Sequence, residues 1–254
     1  MDLGLQGRRA LVTGGTRGIG LAVARRLHEE GCAVAVCARD GDEAERVGAQ
    51  LGGFGMAVDV TDDAALEGFV ATAAQRLGGL DAVVANAGGS AGGGALGDAP
   101  GDDWRATFDL NVVHAAVLLR AAAPHLAGDG GGAALVVASV SGMRPQPRAQ
   151  YAAAKAAEIH LAASLGRELA PTGVRVNALS PGSILTPDGW AVVERDRPGD
   201  FAAFVAAEFP HGRLGTPEEV ADVAAFLLSP RASWINATNI VVDGAQNQPT
   251  ITGY

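Results

Sequence analysis

The sequence predicts an α/β fold built around a doubly wound, mostly parallel sheet. Short apolar runs alternate along the chain with longer segments of helical periodicity. The apolar runs are nearly continuous, which is typical of strands buried on both faces of a parallel sheet. Strands that alternate with helices over short connections favour one sheet with helices on both faces. The 254 residues show no linker and no internal repeat, so we expect a single domain over residues 1–254.

Seven strands are expected, one for each apolar run, at residues 10–13, 33–38, 55–59, 82–86, 133–138, 174–179 and 239–243. Helices are expected at residues 19–30, 62–77, 102–126, 149–169 and 217–228, with a weaker candidate at 42–51. The helix start at 217 is supported by a proline at the first helical position and by acids in the first turn. Seven strands in this order fit a Rossmann-type sheet.

The segment at about residues 186–215 breaks this alternation. It contains four of the chain's twelve aromatic residues, namely Trp190, Phe201, Phe204 and Phe209. A long segment between a strand and a helix is often a lid over a binding site. A packed pair of surface helices is the alternative interpretation. We favour a substrate lid, in which Trp190 would contact an apolar or cyclic ligand.

Charge and composition argue against several classes of protein. The formal net charge is −9, whereas nucleic-acid binders carry a basic excess or stripe. The histidines and the two cysteines lack metal-ligand spacing, so no metal site is expected. The start of the chain lacks the apolar segment of a signal peptide, and no stretch predicts a membrane span. We therefore expect a cytoplasmic protein with neither a nucleic-acid nor a membrane partner.

A glycine-rich turn follows the first predicted strand and leads into a helix. It reads Gly14-Gly15-Thr16-Arg17-Gly18-Ile19-Gly20. Glycine permits positive φ and close backbone approach, and a helix N-terminus offers free N–H groups to a pyrophosphate. The turn therefore predicts a dinucleotide site, although its spacing is GxxxGxG rather than the usual GxGxxG. A glycine-rich turn without a ligand is the alternative.

The end of the second strand indicates which cofactor binds. In a Rossmann unit, an acid about 20 residues after the glycine turn binds the ribose 2′-hydroxyl of NAD. Here Ala38 stands where we expect this acid, and Arg39 follows it. Arg39 and Arg17 together suit a 2′-phosphate, so we favour NADP(H), with NAD(H) as an alternative. In the other interpretation, both arginines are solvated and Asp40 pairs with one of them.

Two groups of residues suggest a reacting centre. Tyr151 and Lys155 are four residues apart in a predicted helix, and therefore lie on one face. A lysine cation about 4 Å from a phenol is worth about 4 kcal/mol at an effective dielectric of 20, which favours the phenolate. The pair could therefore act as a general acid and base near neutral pH. Ser139 and Ser141 follow the fifth strand at the ligand-binding edge, where either hydroxyl could donate to a carbonyl oxygen.

With these residues, the chain resembles the short-chain dehydrogenase/reductase superfamily over almost its whole length. The matching motifs are Thr13-Gly14-xxx-Gly18-Ile19-Gly20, Asp59-Val60, Asn86-Ala87-Gly88, Asn111, Ser139, Tyr151-xxx-Lys155, Asn177, Pro181-Gly182-xxx-Thr186 and Val242-Asp243-Gly244. Their joint order and spacing make the resemblance specific. It implies an oxidoreductase that transfers hydride between NADP(H) or NAD(H) and a ketone or secondary alcohol.

The resemblance also implies roles for single residues. Ser139 polarises the carbonyl, because Gly142 follows it by three residues as the family pattern expects, and Ser141 is the less favoured serine. Tyr151 is the general acid and base, Lys155 assists it and binds the nicotinamide ribose, and Asn111 holds a water for proton relay. Ser141 and Trp190 are kept as candidate substrate contacts. The expected cofactor contacts are Gly14, Thr16, Arg17, Gly18, Ile19, Gly20, Arg39, Asp59, Val60, Asn86, Ala87, Gly88, Tyr151, Lys155, Pro181, Gly182, Ile184 and Thr186.

The substrate class has more than one interpretation. The chain is similar to 3-oxoacyl-carrier-protein reductases as well as to ketone reductases. We favour a free small molecule, because an acidic carrier protein would suit neither the net charge nor the loops at residues 128–132 and 171–173, which lack Lys and Arg. A cofactor-binding sensor without catalysis is a further alternative. The resemblance also implies a homo-oligomer, either a tetramer or a dimer.

The chain departs from the family pattern in two places near the predicted site. The interval from Ser139 to Tyr151 is one residue shorter than the pattern expects, and it includes Arg144. The chain also continues from Gly244 to Tyr254. We expect that this tail could reach an active site or a neighbouring subunit.

Overall fold

The computed structural model describes residues 1–128 and 130–248, and its centre is a seven-stranded parallel sheet. The strands are β1 (Arg9–Thr13), β2 (Ala33–Ala38), β3 (Phe54–Ala57), β4 (Ala82–Ala85), β5 (Ala133–Val137), β6 (Arg175–Pro181) and β7 (Asn239–Val242). Their order is β3-β2-β1-β4-β5-β6-β7, so the chain winds outward in both directions from the β1–β4 pair. The doubly wound, Rossmann-type fold class is confirmed.

Helices cover both faces of the sheet. Among the described residues they are α1 (Gly18–Glu29), α2 (Gly41–Gln50), α3 (Asp63–Leu77), α4 (Gly101–Phe108), α5 (His114–Leu126), α6 (Ala149–Leu169), α7 (Trp190–Asp196), α8 (Pro198–Glu208) and α9 (Pro217–Leu228). One face is covered by α1, α2 and α9 through side chains such as Leu27 and Leu227, and the other by α3, α5 and α6 through Phe69 and Leu118. Because β4 and β5 are buried at every residue, their sequences are continuously apolar.

The carboxyl ends of the strands meet at one edge of the sheet. Thr13 at the end of β1 pairs with Cys37 of β2, and Val137 at the end of β5 pairs with Leu179 of β6. Ligands of doubly wound sheets bind outside the carboxyl ends, at the point where the strand order reverses. Here that point lies between β1 and β4, and the predicted glycine turn follows β1 directly.

The helix expected at residues 102–126 is divided into three segments. α4 ends at Phe108, Asp109–Val113 form a π-helical turn, and α5 begins at His114. Single π-helical turns occur often at functional sites, and this one contains Asn111. The apolar pattern did not reveal it, because the residues on both sides keep helical periodicity.

Residues 186–215 contain the helix pair α7 and α8, whose aromatic side chains pack on one another. Trp190 stacks on Phe204, with ring centroids 4.3 Å apart and an interplanar angle of 5°. Phe209 meets Phe204 edge-on at 5.6 Å, and Phe201 lies 6.4 Å from Trp190. The structure therefore has the packed helix pair that was the alternative interpretation. A role of this pair as a substrate lid stays a prediction.

One stretch of the described chain, Gly101–Leu126, is long and apolar enough to cross a membrane by length and composition alone. Its α5 part belongs to the core of the domain, where Leu118, Leu119 and Ala122 are buried. A core helix meets the same criteria, so the stretch is weak evidence for a membrane span. Within residues 1–128 and 130–248, no three or more His, Cys, Asp or Glu side chains group closely enough to hold a metal ion.

Candidate active site

The glycine turn after β1 has the shape of a phosphate cradle. Gly14 and Gly18 have φ values of 62° and 53°, which favour glycine. The N-cap of α1, Arg17, makes no side-chain cap bond, whereas Asp40 and Asp62 cap α2 and α3. The first N–H groups of α1 and the positive end of its dipole therefore remain available for an anion. These residues fit a pyrophosphate.

Close contact with the end of β4 fixes this turn. Asn86 Nδ2 donates to the carbonyl oxygens of Thr13 at 2.9 Å and Gly14 at 3.2 Å. A Cβ on Gly20 would lie 2.2 Å from the Gly14 oxygen and 2.3 Å from Asn86 Nδ2. The backbone conformation of Gly20 does not require glycine, because its φ is not positive. Glycine is required here because a side chain would overlap these two atoms.

Thr13, which is fully buried, joins β1 to β4 and α5. Its hydroxyl donates to the carbonyl oxygen of Val84 at 3.3 Å and accepts from the N–H groups of Asn86 and Ala87 at 3.1 and 3.2 Å. His114 Nε2 lies 3.0 Å from the same hydroxyl oxygen. These contacts place the segment predicted to border the cofactor. His114 was not identified from the sequence, because it begins a largely apolar helix and has no metal-ligand spacing to the other histidines.

Asn111 is fully buried and holds the glycine-rich segment that follows β4. Its Nδ2 donates to the carbonyl oxygens of Gly89 at 2.7 Å and Thr107 at 2.6 Å, and its Oδ1 accepts from the Gly89 N–H at 3.2 Å. A Cβ on Gly88 would lie 2.7 Å from Asn111 Oδ1 and 3.1 Å from Lys155 Nζ. Three predicted site residues therefore converge here. The structure gives Asn111 a positioning role, and the relay water stays a prediction.

Gln150, directly before Tyr151, also holds the glycine-rich segment and was not identified from the sequence. It is 1% exposed, and its Nε2 donates to the carbonyl oxygens of Ala91 at 3.3 Å and Gly93 at 2.8 Å. Because the buried amide nitrogen donates two hydrogen bonds, it fastens the start of α6 to this segment. It thereby helps to fix the position of Tyr151.

Tyr151 and Lys155 lie on the same face of α6. Lys155 Nζ lies 5.6 Å from the centroid of the Tyr151 ring and donates to the carbonyl oxygen of Val137 at 2.9 Å. It also lies 2.8 Å from Glu158 Oε2. Burial opposes the charge on Lys155, but the charges of Glu158 and Tyr151 more than offset this effect and raise the pKa of the ammonium group. Lys155 is therefore a buried cation held beside the phenol.

Ser139 lies just beyond β5 and precedes a short 3₁₀ turn, Val140–Gly142. Its Oγ accepts a hydrogen bond from the Ser141 N–H at 3.1 Å. A Cβ on Gly142 would lie 2.6 Å from the carbonyl carbon of Lys155, so glycine is needed for this turn to pack directly on α6. The packing brings the turn with both serines against the helix that carries the predicted acid and base.

The predicted nicotinamide turn begins where β6 ends, at Pro181. Gly182 follows, and Ile184 is 6% exposed. A Cβ on Gly18 would lie 3.5 Å from Thr186 Cγ2, so this turn faces the phosphate turn. The other expected contacts along this edge, Thr16, Ile19 and Ala87, are half-buried.

The two arginines predicted beside the 2′ position have different surroundings in the structure. Arg17 donates to Asp188 at 3.1 Å, in an exposed ion pair between the phosphate turn and the segment before α7. Arg39 is exposed after β2. Asp40 accepts from the N–H of Glu43 at 3.1 Å and caps α2. The aspartate is thus engaged with its own helix rather than with either arginine.

Asp59 and Val60 follow β3 at the expected adenine side of the edge. Asp59 Oδ1 accepts from the N–H and the hydroxyl of Thr61 at 3.0 and 2.7 Å. These bonds, with a smaller contribution from the Arg39 charge, lower the pKa of Asp59. Val60 is 7% exposed and joins the core.

The beginning of the C-terminal tail reaches the predicted nicotinamide turn of its own chain. Gln246 is 5% exposed, and its side chain bonds to the N–H and the hydroxyl of Ser183 at 2.8 and 3.1 Å. Arg144 donates to the Gln246 carbonyl oxygen at 3.1 Å and pairs with Glu208 of α8 at 2.6 Å. The loop after Ser139, the helix pair and the tail are therefore joined. Residues 249–254 of the predicted tail lie outside the described residues.

Gln246→Ala is expected to raise the KM for the cofactor by roughly 5- to 30-fold, because two side-chain hydrogen bonds of about 1 kcal/mol each hold the Ser183 turn. Steady-state kinetics with varied cofactor measure this effect. Gln248→Ala, at an exposed position two residues later, is the matched control. Equal KM values for the two variants, or full activity after truncation at Gly244, would contradict a role for the tail.

The free energy of unfolding is expected to decrease as the pH is lowered, because of His114. Burial, together with the Lys155 charge, lowers the pKa of His114 to about 4, whereas an unfolded histidine titrates near 6.5. Between these values the unfolded state binds the extra proton, so about 3 kcal/mol of stability present above pH 6.5 is lost as the pH falls toward 4. Urea unfolding at pH 7 and pH 4.5 should show a smaller loss for His114→Gln. An equal loss in both proteins would be the opposite result.

Comparisons with known proteins agree with the predicted family. The family model described as enoyl-(acyl carrier protein) reductase matches residues 14–246. Dehydrogenase/reductase SDR family member 4 of Bos taurus is 38% identical over 248 residues, which cover 94% of this chain and 87% of that protein. L-sorbose reductase from Gluconobacter frateurii, solved with NADPH and L-sorbose, is 30% identical with a TM-score of 0.91, covering 98% of this chain and 100% of that one.

A third relative carries a different cofactor. The structure of 7α-hydroxysteroid dehydrogenase with NADH and 7-oxo glycochenodeoxycholic acid is 32% identical, with a TM-score of 0.86. The match covers 96% of this chain and 95% of that one. The family expected from the motifs is therefore confirmed. The chain belongs to the short-chain dehydrogenase/reductase superfamily and is an oxidoreductase that acts on CH–OH groups.

Proposed function

We propose that the enzyme transfers hydride between NADP(H) and a small-molecule ketone or its secondary alcohol. The observation that carries this proposal is the position of Lys155, a buried cation 5.6 Å from the ring centroid of Tyr151. A Cβ on Gly88 would lie 2.7 Å from Asn111 Oδ1, so glycine lets this segment lie directly against Asn111 and Lys155. The turn that follows Ser139 packs on the same helix as Lys155. Tyr151, Ser139, Lys155 and Asn111 are the residues that we assign to catalysis.

The residues around the glycine turn fit a nicotinamide dinucleotide. The uncapped start of α1 and the turn from Gly14 to Gly20 would hold the pyrophosphate. Asp59 and Val60 would border the adenine. Asn86, Ala87, Gly88, Pro181, Gly182, Ile184 and Thr186 would border the nicotinamide half. When bound, the nicotinamide ring supplies or accepts the hydride.

The protein itself moves the proton and stabilises charge. In the reducing direction, Tyr151 donates a proton to the carbonyl oxygen, while the Ser139 hydroxyl donates a hydrogen bond to the same oxygen. The Lys155 cation stabilises the phenolate that this transfer leaves. Water near Asn111 then returns a proton to Tyr151. In the oxidising direction the phenolate accepts the proton of the alcohol.

Three features of the chain support NADP(H) over NAD(H). Ala38 ends β2, where NAD enzymes place an acid. The nearest acid, Asp40, is engaged in capping α2. Arg39 between them is exposed and suits a 2′-phosphate. Among the solved relatives, one holds NADPH and another NADH, so the residues of this chain carry the proposal.

Arg39→Asp is expected to lower the ratio of kcat/KM for NADPH to that for NADH by at least about tenfold. The variant removes a charge-assisted hydrogen bond to the 2′-phosphate and introduces repulsion in its place. Kinetics with both cofactors give the ratio. Arg25→Asp, an equal charge change at an exposed position of α1, should leave the ratio unchanged. An unaltered ratio in Arg39→Asp would remove Arg39 from the cofactor site.

An acyl-carrier-protein substrate is the second candidate, and the description of the matching family model favours it. The loops at residues 128–132 and 171–173, which lack Lys and Arg, do not exclude a carrier. These loops precede β5 and β6, at the amino ends of the strands. They lie at the sheet edge opposite the site of the same chain, so their composition does not describe its entrance.

A spectrophotometric screen distinguishes the two candidates. Oxidation of NADPH and NADH is followed with small ketones, sugars, cyclic ketones and acyl thioesters on carrier protein. We expect turnover of free ketones with NADPH. Turnover of carrier-bound thioesters alone would replace the small-molecule proposal with the second candidate.

We also propose that the enzyme works as a homo-oligomer, a tetramer or a dimer, in the cytoplasm. The side chain of Trp234 is 98% exposed on the single chain. It lies beside a depression of about 570 Å³ that Arg8, Gly131 and Arg175 help to line. An exposed indole beside such a depression supports a contact between subunits. Light scattering measures the assembly of the wild type and of Trp234→Glu.

A further inference from the structure

Glu158 is a buried acid that has no place in the predicted site. It lies in α6, three residues after Lys155, and is 2% exposed. Its Oε2 lies 2.8 Å from Lys155 Nζ, so the two side chains form a buried ion pair. A buried carboxylate is costly unless a charge compensates it, and here the compensating charge belongs to Lys155.

The other groups that face Lys155 carry no negative charge at neutral pH, apart from the phenolate that the reaction forms. On α6, Tyr151 lies one turn before Lys155. On α5, His114 is near enough for the Lys155 charge to help burial lower its pKa to about 4, so it is neutral. On β5, the Val137 carbonyl oxygen accepts a hydrogen bond. Burial raises the pKa of Glu158, although the Lys155 charge opposes this rise. Within the described residues, Glu158 is therefore the acid whose charge competes for this cation.

We propose that Glu158 is a positioning residue that partly neutralises Lys155 and thereby opposes formation of the Tyr151 phenolate, which favours the phenol that donates to a ketone. An unopposed lysine favours the phenolate, whereas a nearby carboxylate disfavours it. Tyr151 and Glu158 are seven residues apart, about 10 Å along the helix. At an effective dielectric of 20, a charge at this separation changes an ionisation midpoint by about one pH unit.

This inference rests on the proposed function, and it concerns the direction of the reaction. Reduction needs the phenol, and oxidation needs the phenolate. A carboxylate that disfavours the phenolate therefore favours reduction near neutral pH and moves the onset of oxidation to higher pH. Glu158 would make this enzyme a reductase at neutral pH without touching substrate or cofactor.

Ionisation of Tyr151 can be observed directly because the chain has few tyrosines. The chain has two, Tyr151 and Tyr254, so Tyr254→Phe leaves Tyr151 as the only phenol. Ionisation of Tyr151 is then followed by the ultraviolet absorbance of the phenolate, with Glu158 present or replaced in Glu158→Gln. We expect the midpoint to fall by about one pH unit in Glu158→Gln. Glu168→Gln, an equal charge change at an exposed position of α6, should leave it unchanged.

An unchanged midpoint in Glu158→Gln, or one that rises, would overturn the inference. If Glu158→Gln does not fold, Glu158→Asp serves instead, because it keeps the charge but withdraws it from Lys155. Its midpoint should fall by less than one pH unit, and no change would again overturn the inference. The pH profile of kcat for alcohol oxidation should shift in the same direction. The absorbance titration needs no substrate. A failed screen for turnover would therefore refute the proposed function, whereas the titration tests the role of Glu158 independently.

Discussion

Tyr151→Phe is expected to lower kcat by about 10³-fold in both directions, because the variant removes the only side chain that we assign to proton transfer. The aromatic ring remains, so packing at the start of α6 is retained. Lys155 keeps its contacts with Val137 and Glu158, which do not involve the phenol oxygen. Steady-state assays with the ketone identified in the screen measure the loss.

Cofactor binding separates this effect from a general defect. The dissociation constant for NADPH, measured by fluorescence titration, should be similar in Tyr151→Phe and in the wild type. Tyr254→Phe, at the other tyrosine of the chain, should keep full activity. A Tyr151→Phe enzyme with a near-normal kcat would show that another group transfers the proton.

Much of the fold could be predicted because its strands are buried on both faces. β4 and β5 carry no exposed residue, so their apolar runs are continuous and easily found. The π-helical turn that contains Asn111 could not be predicted in this way. It changes the backbone hydrogen bonds of a helix and leaves the apolar periodicity on either side intact.

In the site, contacts within one helix could be predicted from the sequence, whereas contacts between distant segments could not. Tyr151 and Lys155 are one helical turn apart, so their shared face follows from spacing alone. Gln246 meets Ser183 across 63 residues of sequence, and nothing local in either segment signals the contact. Glu158 was hidden for another reason. An acid in a long helix is usually solvent-exposed, and only the structure shows that this one is buried beside Lys155.

Gly20→Ala is expected to weaken cofactor binding by about 100-fold. The new Cβ would lie 2.2 Å from the Gly14 carbonyl oxygen and 2.3 Å from Asn86 Nδ2. Neither atom can move freely, since one is backbone and the other donates to Thr13 and Gly14. The phosphate turn must therefore shift, and overpacking of this kind costs about 1–3 kcal/mol. Fluorescence titration with NADPH measures the loss of affinity.

A matched glycine shows whether the close approach, rather than the extra methyl group itself, is responsible. Gly68 lies inside α3, and a Cβ there would meet nothing within 4 Å. Gly68→Ala should therefore stabilise the protein by about 0.5–1 kcal/mol and leave NADPH binding unchanged. If Gly20→Ala binds NADPH as tightly as Gly68→Ala does, the turn can adjust to the added Cβ. Its present shape would then not be what binds the phosphates, and the cofactor would have to be held mainly by residues beyond the glycine turn.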